Sequence, residues 1–242
     1  MKAAIITGVS RGLGEALAVA LLTRGFAVTG IGRLSSVRLT DERYRFVRID
    51  LANVVGLEAA LTPAFRAIAD ARPESVCLIN NAAAVEPVGV VGALDDSKVA
   101  VSLAVNLIAP FALANLFCRV FADATLPRRV INVSSGAAER ALPGNGPYCV
   151  AKAGLEMLTR QLVAEQQAPT FRAISVRPGV IDTAMQAFVR AQSSDVLPSV
   201  GLFRGFHESG QLVAPEVVAE KIADKLVLGD IEQGRTYNYR EL

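Results

Sequence analysis

Residues 1–14 read Met-Lys-Ala-Ala-Ile-Ile-Thr-Gly-Val-Ser-Arg-Gly-Leu-Gly, a short apolar run that stops at Gly8 and is followed by Gly12 and Gly14. An apolar run of this length bounded by glycine reads as a buried strand entering a tight turn, and beyond Gly12 the apolar spacing becomes helical. Glycine turns through positive φ and lets a bound group approach the backbone closely. A helix that begins there aims its free N–H groups and the positive end of its dipole into the turn. Gly8, Ser10, Arg11, Gly12, Leu13 and Gly14 are therefore candidates to hold a pyrophosphate. Their spacing is not G-x-G-x-x-G, and the loop gains its meaning from standing between a strand and an amphipathic helix.

The same alternation runs through the rest of the chain. Short β-rich runs at Ala3–Thr7, Ala27–Ile31, Arg45–Ile49, Val76–Asn80, Val130–Val133 and Ala173–Val176 are separated by helical patterns at Leu13–Thr23, Val54–Ala69, Asp95–Ala122 and Tyr148–Glu165. Strands alternating with helices predict an α/β fold: a single doubly wound, Rossmann-type parallel sheet with helices on both faces. No repeat, low-complexity tract or linker divides it, so residues 1–242 are read as one dinucleotide-binding domain. The stretch from Gln186 to Gln211, rich in Ser and Gly and holding the only histidine, His207, is the least regular. It reads either as a substrate lid or as an ordinary surface loop. In such sheets ligands bind beyond the carboxyl ends of the strands, so the residues that follow each strand are the ones to question.

Composition narrows the classes further. Hydrophobic residues make up 52% of the chain and charged residues 20%, which excludes a disordered chain. The net charge is +2, with no basic run interleaved with aromatics, so no nucleic-acid partner is expected. Cys77, Cys118 and Cys149 lie far apart with no His cluster, which reads as reduced thiols and no metal. The first residues run straight into a strand, leaving no presequence, and a cytoplasmic location is expected. Val99–Cys118 carries no charge and is long enough to span a bilayer, yet Ser102, Asn106, Pro110 and Asn115 within it are costly in lipid. The segment reads as a helix buried in the fold and against a second subunit, with no membrane role.

The second strand ends Gly30-Ile31-Gly32-Arg33, where an NAD site would place an acid to accept from the ribose 2′-hydroxyl. Arg33 instead offers a fork of donors suited to a 2′-phosphate, with Arg11 in reach of the same group, so NADP(H) is expected. Asp50-Leu51 after the third strand would face the adenine, and Asp50 would also cap the next helix.

Tyr148-Cys149-Val150-Ala151-Lys152 sets a phenol and an ammonium on one helical face. A lysine cation beside a tyrosine favours the phenolate and lowers its pKa. Ser134-Ser135 and Asn80-Asn81-Ala82 follow strands, Asn106 lies in the long apolar helix, and Arg177-Pro178-Gly179 precedes Thr183. With these motifs in this order, the sequence resembles the short-chain dehydrogenase/reductase family over nearly its whole length. Glu86-Pro87, Cys149, Gly210–Val213 and Gly234-Arg235 are similar to its sepiapterin reductase and benzil reductase branch.

The resemblance implies that Tyr148 donates the proton to a carbonyl oxygen and that Lys152 holds the ribose hydroxyls and lowers the tyrosine pKa. It implies that Ser135 polarises the substrate, that Ser134 lines the cofactor side, and that Asn106 holds a water relaying protons to Lys152. The other reading of Asn106 is an ordinary satisfied core amide. Asn81 and Ala82 would pack beneath the adenosine ribose. Pro178 and Gly179 would bind the cofactor, Val180 and Ile181 would contact its carboxamide, and Thr183 would bond the carboxamide or the phosphates. Two departures stand out. Ala83 replaces a family glycine, a strained position if φ is positive there. Asn238 stands where sepiapterin reductases grip the pterin with a carboxylate, with Glu241 close to the terminus.

The expected function is an NADPH-dependent carbonyl reductase acting on a ketone or 1,2-diketone of benzil type, with sepiapterin reduction as the alternative. From other classes stand an NAD-linked alcohol dehydrogenase and a non-catalytic NADP-binding regulator. The apolar faces of Asp95–Ala122 and Tyr148–Glu165 predict a homodimer or homotetramer around a small-molecule carbonyl substrate.

Overall fold

The first strand, β1 (Lys2–Thr7), is apolar on both faces, as a strand must be when helices cover the sheet front and back. Ala4 and Ile6 pack into one layer, Ala3 and Ile5 into the other. In the computed structural model, which describes all 242 residues, β1 leads into α1 (Gly12–Thr23), β2 (Ala27–Gly32), β3 (Tyr44–Arg48), α2 (Leu57–Asp70) and β4 (Ser75–Asn80). Then come α3 (Asp96–Leu103), α4 (Ala109–Val120), β5 (Arg128–Val133), α5 (Gly146–Glu165) and β6 (Phe171–Arg177). The chain ends with α6 (Ala184–Arg190), α7 (Val200–Glu208), α8 (Pro215–Ile222) and β7 (Thr236–Asn238).

The strands form one sheet in the order β3-β2-β1-β4-β5-β6-β7, every neighbouring pair parallel. The expected doubly wound architecture is the observed one. Helices α1 and α8 share one core with the sheet, and α2, α4 and α5 share the other. The winding reverses between β1 and β4, which are hydrogen-bonded neighbours with Ile5 opposite Leu78. Thr7-Gly8 and Asn80–Ala82 consequently emerge side by side at the carboxyl edge, and a crevice opens there.

Three features depart from expectation. The stretch 186–211 is not irregular: it holds the end of α6 and all of α7, which pack on each other through Val189, Leu197 and Val200. The long apolar helix is real from Asp96 to Val120, but Ala104–Ile108 widens into a π turn. It is long and apolar enough to cross a membrane, yet it packs against α2 and α5. Neither α8 nor β7 was expected: β7 has only three residues, Thr-Tyr-Asn, too few to show an apolar run. Ala83 is unstrained, since Arg72 is the only non-glycine residue with positive φ.

Candidate active site

At the crevice the glycine loop is fixed by its neighbours. Gly8 takes φ +75°, and a Cβ there would lie 2.8 Å from Ala82 Cα. A Cβ on Gly14 would fall 2.2 Å from the Gly8 carbonyl oxygen and 2.4 Å from Asn81 Nδ2, so α1 can start only with glycine at that point. Thr7 Oγ1 accepts from the backbone N–H of both Asn81 (3.0 Å) and Ala82 (2.9 Å), and Asn81 Nδ2 donates to the Thr7 carbonyl at 2.8 Å. Asn81 and Ala82 thus brace the loop from below, and Thr7 is a partner that sequence reasoning missed. A hydroxyl closing an apolar strand just before the glycines was the available signal. Arg11, at the N-cap of α1, makes no capping bond, which leaves the first N–H groups of the helix directed into the crevice. Uncapped N–H groups behind a positive-φ glycine suit an anionic pyrophosphate.

Arg11 and Arg33 are both exposed at this end, with Ser10 beside them, while Leu13 is buried. The nearby acid is engaged elsewhere: Glu15 accepts from the Ser36 hydroxyl and pairs with Arg38 at 3.4 Å. Asp50 caps its own turn by accepting from Ala52 N at 3.0 Å, and Leu51 is buried in the lower core.

Across the crevice, Tyr148 and Lys152 stand on successive turns of α5, with Lys152 Nζ 5.5 Å from the phenol ring centre. Lys152 is 1% exposed and donates to the Val133 carbonyl at 2.7 Å. Burial lowers its pKa to about 8. Burial also pushes the Tyr148 phenol up to about 12, with the Ser135 hydroxyl beside it acting in the opposite sense. This corrects the expectation that Lys152 depresses the tyrosine. Desolvation is the largest cause of the rise, Lys152 is not among the groups that lower the phenol, and the ammonium gives one N–H to the Val133 carbonyl. Ser135 caps a short turn, accepting from Ala137 N at 3.2 Å.

Ser134 does not line the crevice. It is 2% exposed and donates to Glu156 Oε1 at 2.7 Å. Arg177 reaches the same carboxylate with both arms, Nε to Oε1 and Nη2 to Oε2, each at 2.8 Å, and also pairs with Glu139. This buried fork joins α5, the end of β5 and the end of β6. It too escaped the sequence reading, because Glu156 and Arg177 are 21 residues apart.

Asn106 is held as a satisfied core amide at the π turn. Its Oδ1 accepts from Ala84 N at 2.9 Å, and its Nδ2 donates to the Ala84 carbonyl (2.7 Å) and Ser102 Oγ (3.2 Å). After Arg177 and Pro178, Gly179 takes φ +77° against Tyr239. Val180 and Ile181 pair with Val213, and Thr183 caps α6. A Cβ on Gly12 would lie 3.3 Å from Thr183 Cγ2, so the two loops meet over the crevice. Asn238 is exposed at the end of β7, level with Arg177, and Glu241 is occupied in accepting from its backbone N–H at 2.9 Å. No group of three or more His, Cys, Asp or Glu stands close enough to hold a metal ion.

The family model for short chain dehydrogenases matches residues 2–194. A benzil reductase ((S)-benzoin forming) of Bacillus cereus is 33% identical over 100% of both chains. A sepiapterin reductase of Meriones unguiculatus is 34% identical over 95% of this chain and 93% of that protein. The crystal structure of a 3-oxoacyl-[acyl-carrier protein] reductase from Brucella melitensis in complex with NAD superposes with a TM-score of 0.81. It is 25% identical and covers 98% of this chain and 95% of the other.

Proposed function

The chain belongs to the short-chain dehydrogenase family, in the branch of the benzil and sepiapterin reductases, and on that basis we propose that it is an NADPH-dependent carbonyl reductase acting on 1,2-diketones of benzil type and on related ketones. The observation that carries the reading is geometric: Tyr148 stands beside the Ser135 hydroxyl and one turn from Lys152 on α5, with burial raising its pKa further above the neutral range. A protonated phenol is suited to giving its proton to a carbonyl oxygen as that oxygen becomes an alkoxide.

When bound, the nicotinamide cofactor supplies the hydride. Ser135 donates a hydrogen bond to the substrate carbonyl and orients it, and Tyr148 gives up its proton to the same oxygen. Lys152, which donates one N–H to the Val133 carbonyl, would hold the ribose hydroxyls with the others and return a proton to Tyr148. The side chain of Asn106 is engaged by Ala84 and Ser102, which disfavours it as the holder of a relay water. The uncapped N–H groups at the start of α1 would hold the pyrophosphate, with Gly8 turning the loop beneath it while its own N–H bonds the Ile31 carbonyl. Arg33 and Arg11 would take the 2′-phosphate, Asp50 and Leu51 would border the adenine, and Asn81 and Ala82 would pack beneath the ribose. Val180 and Ile181 would contact the carboxamide, Pro178 and Gly179 would border the cofactor, and Thr183 would bond the carboxamide or the phosphates.

The enzyme acts in the cytoplasm as a homodimer or homotetramer, with α6 and α7 as the lid over the substrate. Sepiapterin is the second candidate substrate, on the likeness to sepiapterin reductase. It is disfavoured by Asn238, which offers no charge to a pterin.

The test is loss of NADPH absorbance against benzil, other 1,2-diketones, sepiapterin and simple aromatic ketones, with NADH alongside. Turnover of diketones with NADPH is expected. Faster turnover of sepiapterin, or a preference for NADH, would reverse the corresponding part of the assignment. Arg33→Asp is expected to turn cofactor preference toward NADH, since it removes a phosphate fork and adds a ribose acceptor. Unchanged NADPH affinity in that variant would take the 2′-phosphate away from Arg33.

A further inference from the structure

Helices α6 and α7 close on an apolar cluster of their own, Val189, Leu197 and Val200, which also takes in Val85 and Val88 from the loop after β4. A polar group buried in such a roof carries a desolvation cost unless it is paired. Gln186 is only 7% exposed, yet neither its Oε1 nor its Nε2 has a hydrogen-bond partner in the protein. Asn145 is 2% exposed, and its Oδ1 is equally without a partner.

The two residues stand on segments that meet at Leu197. Gln186 lies one turn before Val189 on α6, so it shares the face that packs toward Leu197 and Val200. The segment holding Leu197 abuts the turn that holds Asn145: Ser199 N donates to the Pro143 carbonyl at 3.2 Å, and a Cβ on Gly144 would stand 2.9 Å from Leu197 Cα. Asn145 in turn caps α5, its carbonyl accepting from Cys149 N at 3.0 Å, three positions ahead of the proton donor Tyr148.

We propose that Gln186, backed by Asn145, is a second polar anchor of the substrate pocket. It selects carbonyl compounds that carry an oxygen on the carbon next to the one reduced. The Gln186 Nε2–H donates to that oxygen when it is a carbonyl, and Gln186 Oε1 or Asn145 Oδ1 accepts the single proton when it is a hydroxyl. Neutral amides suit neutral oxygens, so vicinal diketones and α-hydroxyketones fit better than a monoketone, which would leave the amides unpaired. This inference rests on the reductase reading above.

The test compares benzil with deoxybenzoin, which lacks only the second oxygen, in the full-length protein at saturating NADPH. Gln186→Met keeps the length of the side chain and its helical preference while removing both polar atoms. In this variant kcat/KM for benzil is expected to fall about tenfold. The value for deoxybenzoin should hold or rise, because the unpaired amide is gone, and the Kd for NADPH should stay unchanged. The unchanged Kd shows that the variant is folded, and Gln186→Leu should repeat the pattern. A benzil value that does not move, or an equal fall for both ketones, overturns the anchor while leaving the reductase reading standing. A wild-type protein that reduces neither ketone overturns the reductase reading and the anchor with it.

Discussion

At the scale of single residues the site is governed by burial. Lys152 sits at a pKa of about 8 and Tyr148 at about 12, each displaced in the direction that disfavours its charged form. The signs give a pH dependence. Tyr148 keeps its proton across the neutral range, and Lys152 is an ammonium below pH 8 that loses its charge above it. If the ammonium serves the reaction, kcat for reduction should be level below pH 8 and drop by about tenfold per unit above it. A kcat profile between pH 6 and 10 checks this, and a level line throughout would detach Lys152 from the chemistry. Tyr148→Phe should abolish turnover while NADPH still binds, as measured by fluorescence titration. Gly14→Ala is expected to weaken the whole loop, because the new Cβ would lie 2.2 Å from the Gly8 carbonyl oxygen. A thermal melt of that variant should show a clear fall in Tm, and an unchanged Tm would mean that the loop relaxes freely.

Among elements, α5 matters most, since its seat on the sheet decides where Tyr148 and Lys152 point. Two successive turns pin it: Lys152 to the Val133 carbonyl, then Glu156 to Ser134 and Arg177. Arg177 runs directly into Pro178-Gly179, so the same fork fixes the loop expected at the carboxamide. The side chains of Arg177 and Glu156 are 13% and 8% exposed, so removing one leaves the other charge buried and unpaired. Arg177→Met should therefore destabilise the fold by about 3–5 kcal/mol, whereas Arg177→Met with Glu156→Leu should recover much of the loss. Urea unfolding of both variants measures the coupling, and simple additivity would mean that the pair is not energetically linked. Helices α6 and α7 are a contrast. Sequence periodicity gave no helix over 186–211, because α6 and α7 are short and their apolar residues have a core only with each other and the loop after β4.

For the whole molecule, the open question is what covers the outer faces of the helices around the site. Val101, Ile108 and Phe111 on the α3–α4 helix, and Val150 and Met157 on α5, are 47–62% exposed. Large side chains concentrated on two adjacent helices suit a second copy of the chain. Phe111→Glu with Met157→Glu should lower the mass in sedimentation from a dimer or tetramer toward a single chain, with NADPH binding retained. An unaltered mass would place the interface elsewhere. The uncharged stretch that reads as a membrane span by composition alone packs against α2 and α5 in this way, its polar Asn106 and Ser102 bonded to each other and Asn106 to Ala84.

The order of strands and helices, the glycine turn and the Tyr148–Lys152 pair were legible from the chain itself. Periodicity, positive-φ glycines and i, i+4 spacing are local properties that neighbouring residues determine between them. Three further matters needed the folded chain. Ser134 turned inward onto Glu156, although nothing near it in sequence distinguishes it from Ser135. The Tyr148 pKa rose, although the local pair pointed down, because burial is a sum over residues from distant strands. Gln186 became a buried amide without a partner only once α6 was folded over the crevice. Local geometry is written in neighbouring residues; desolvation and pairing between distant segments arise only when the sheet brings those segments together.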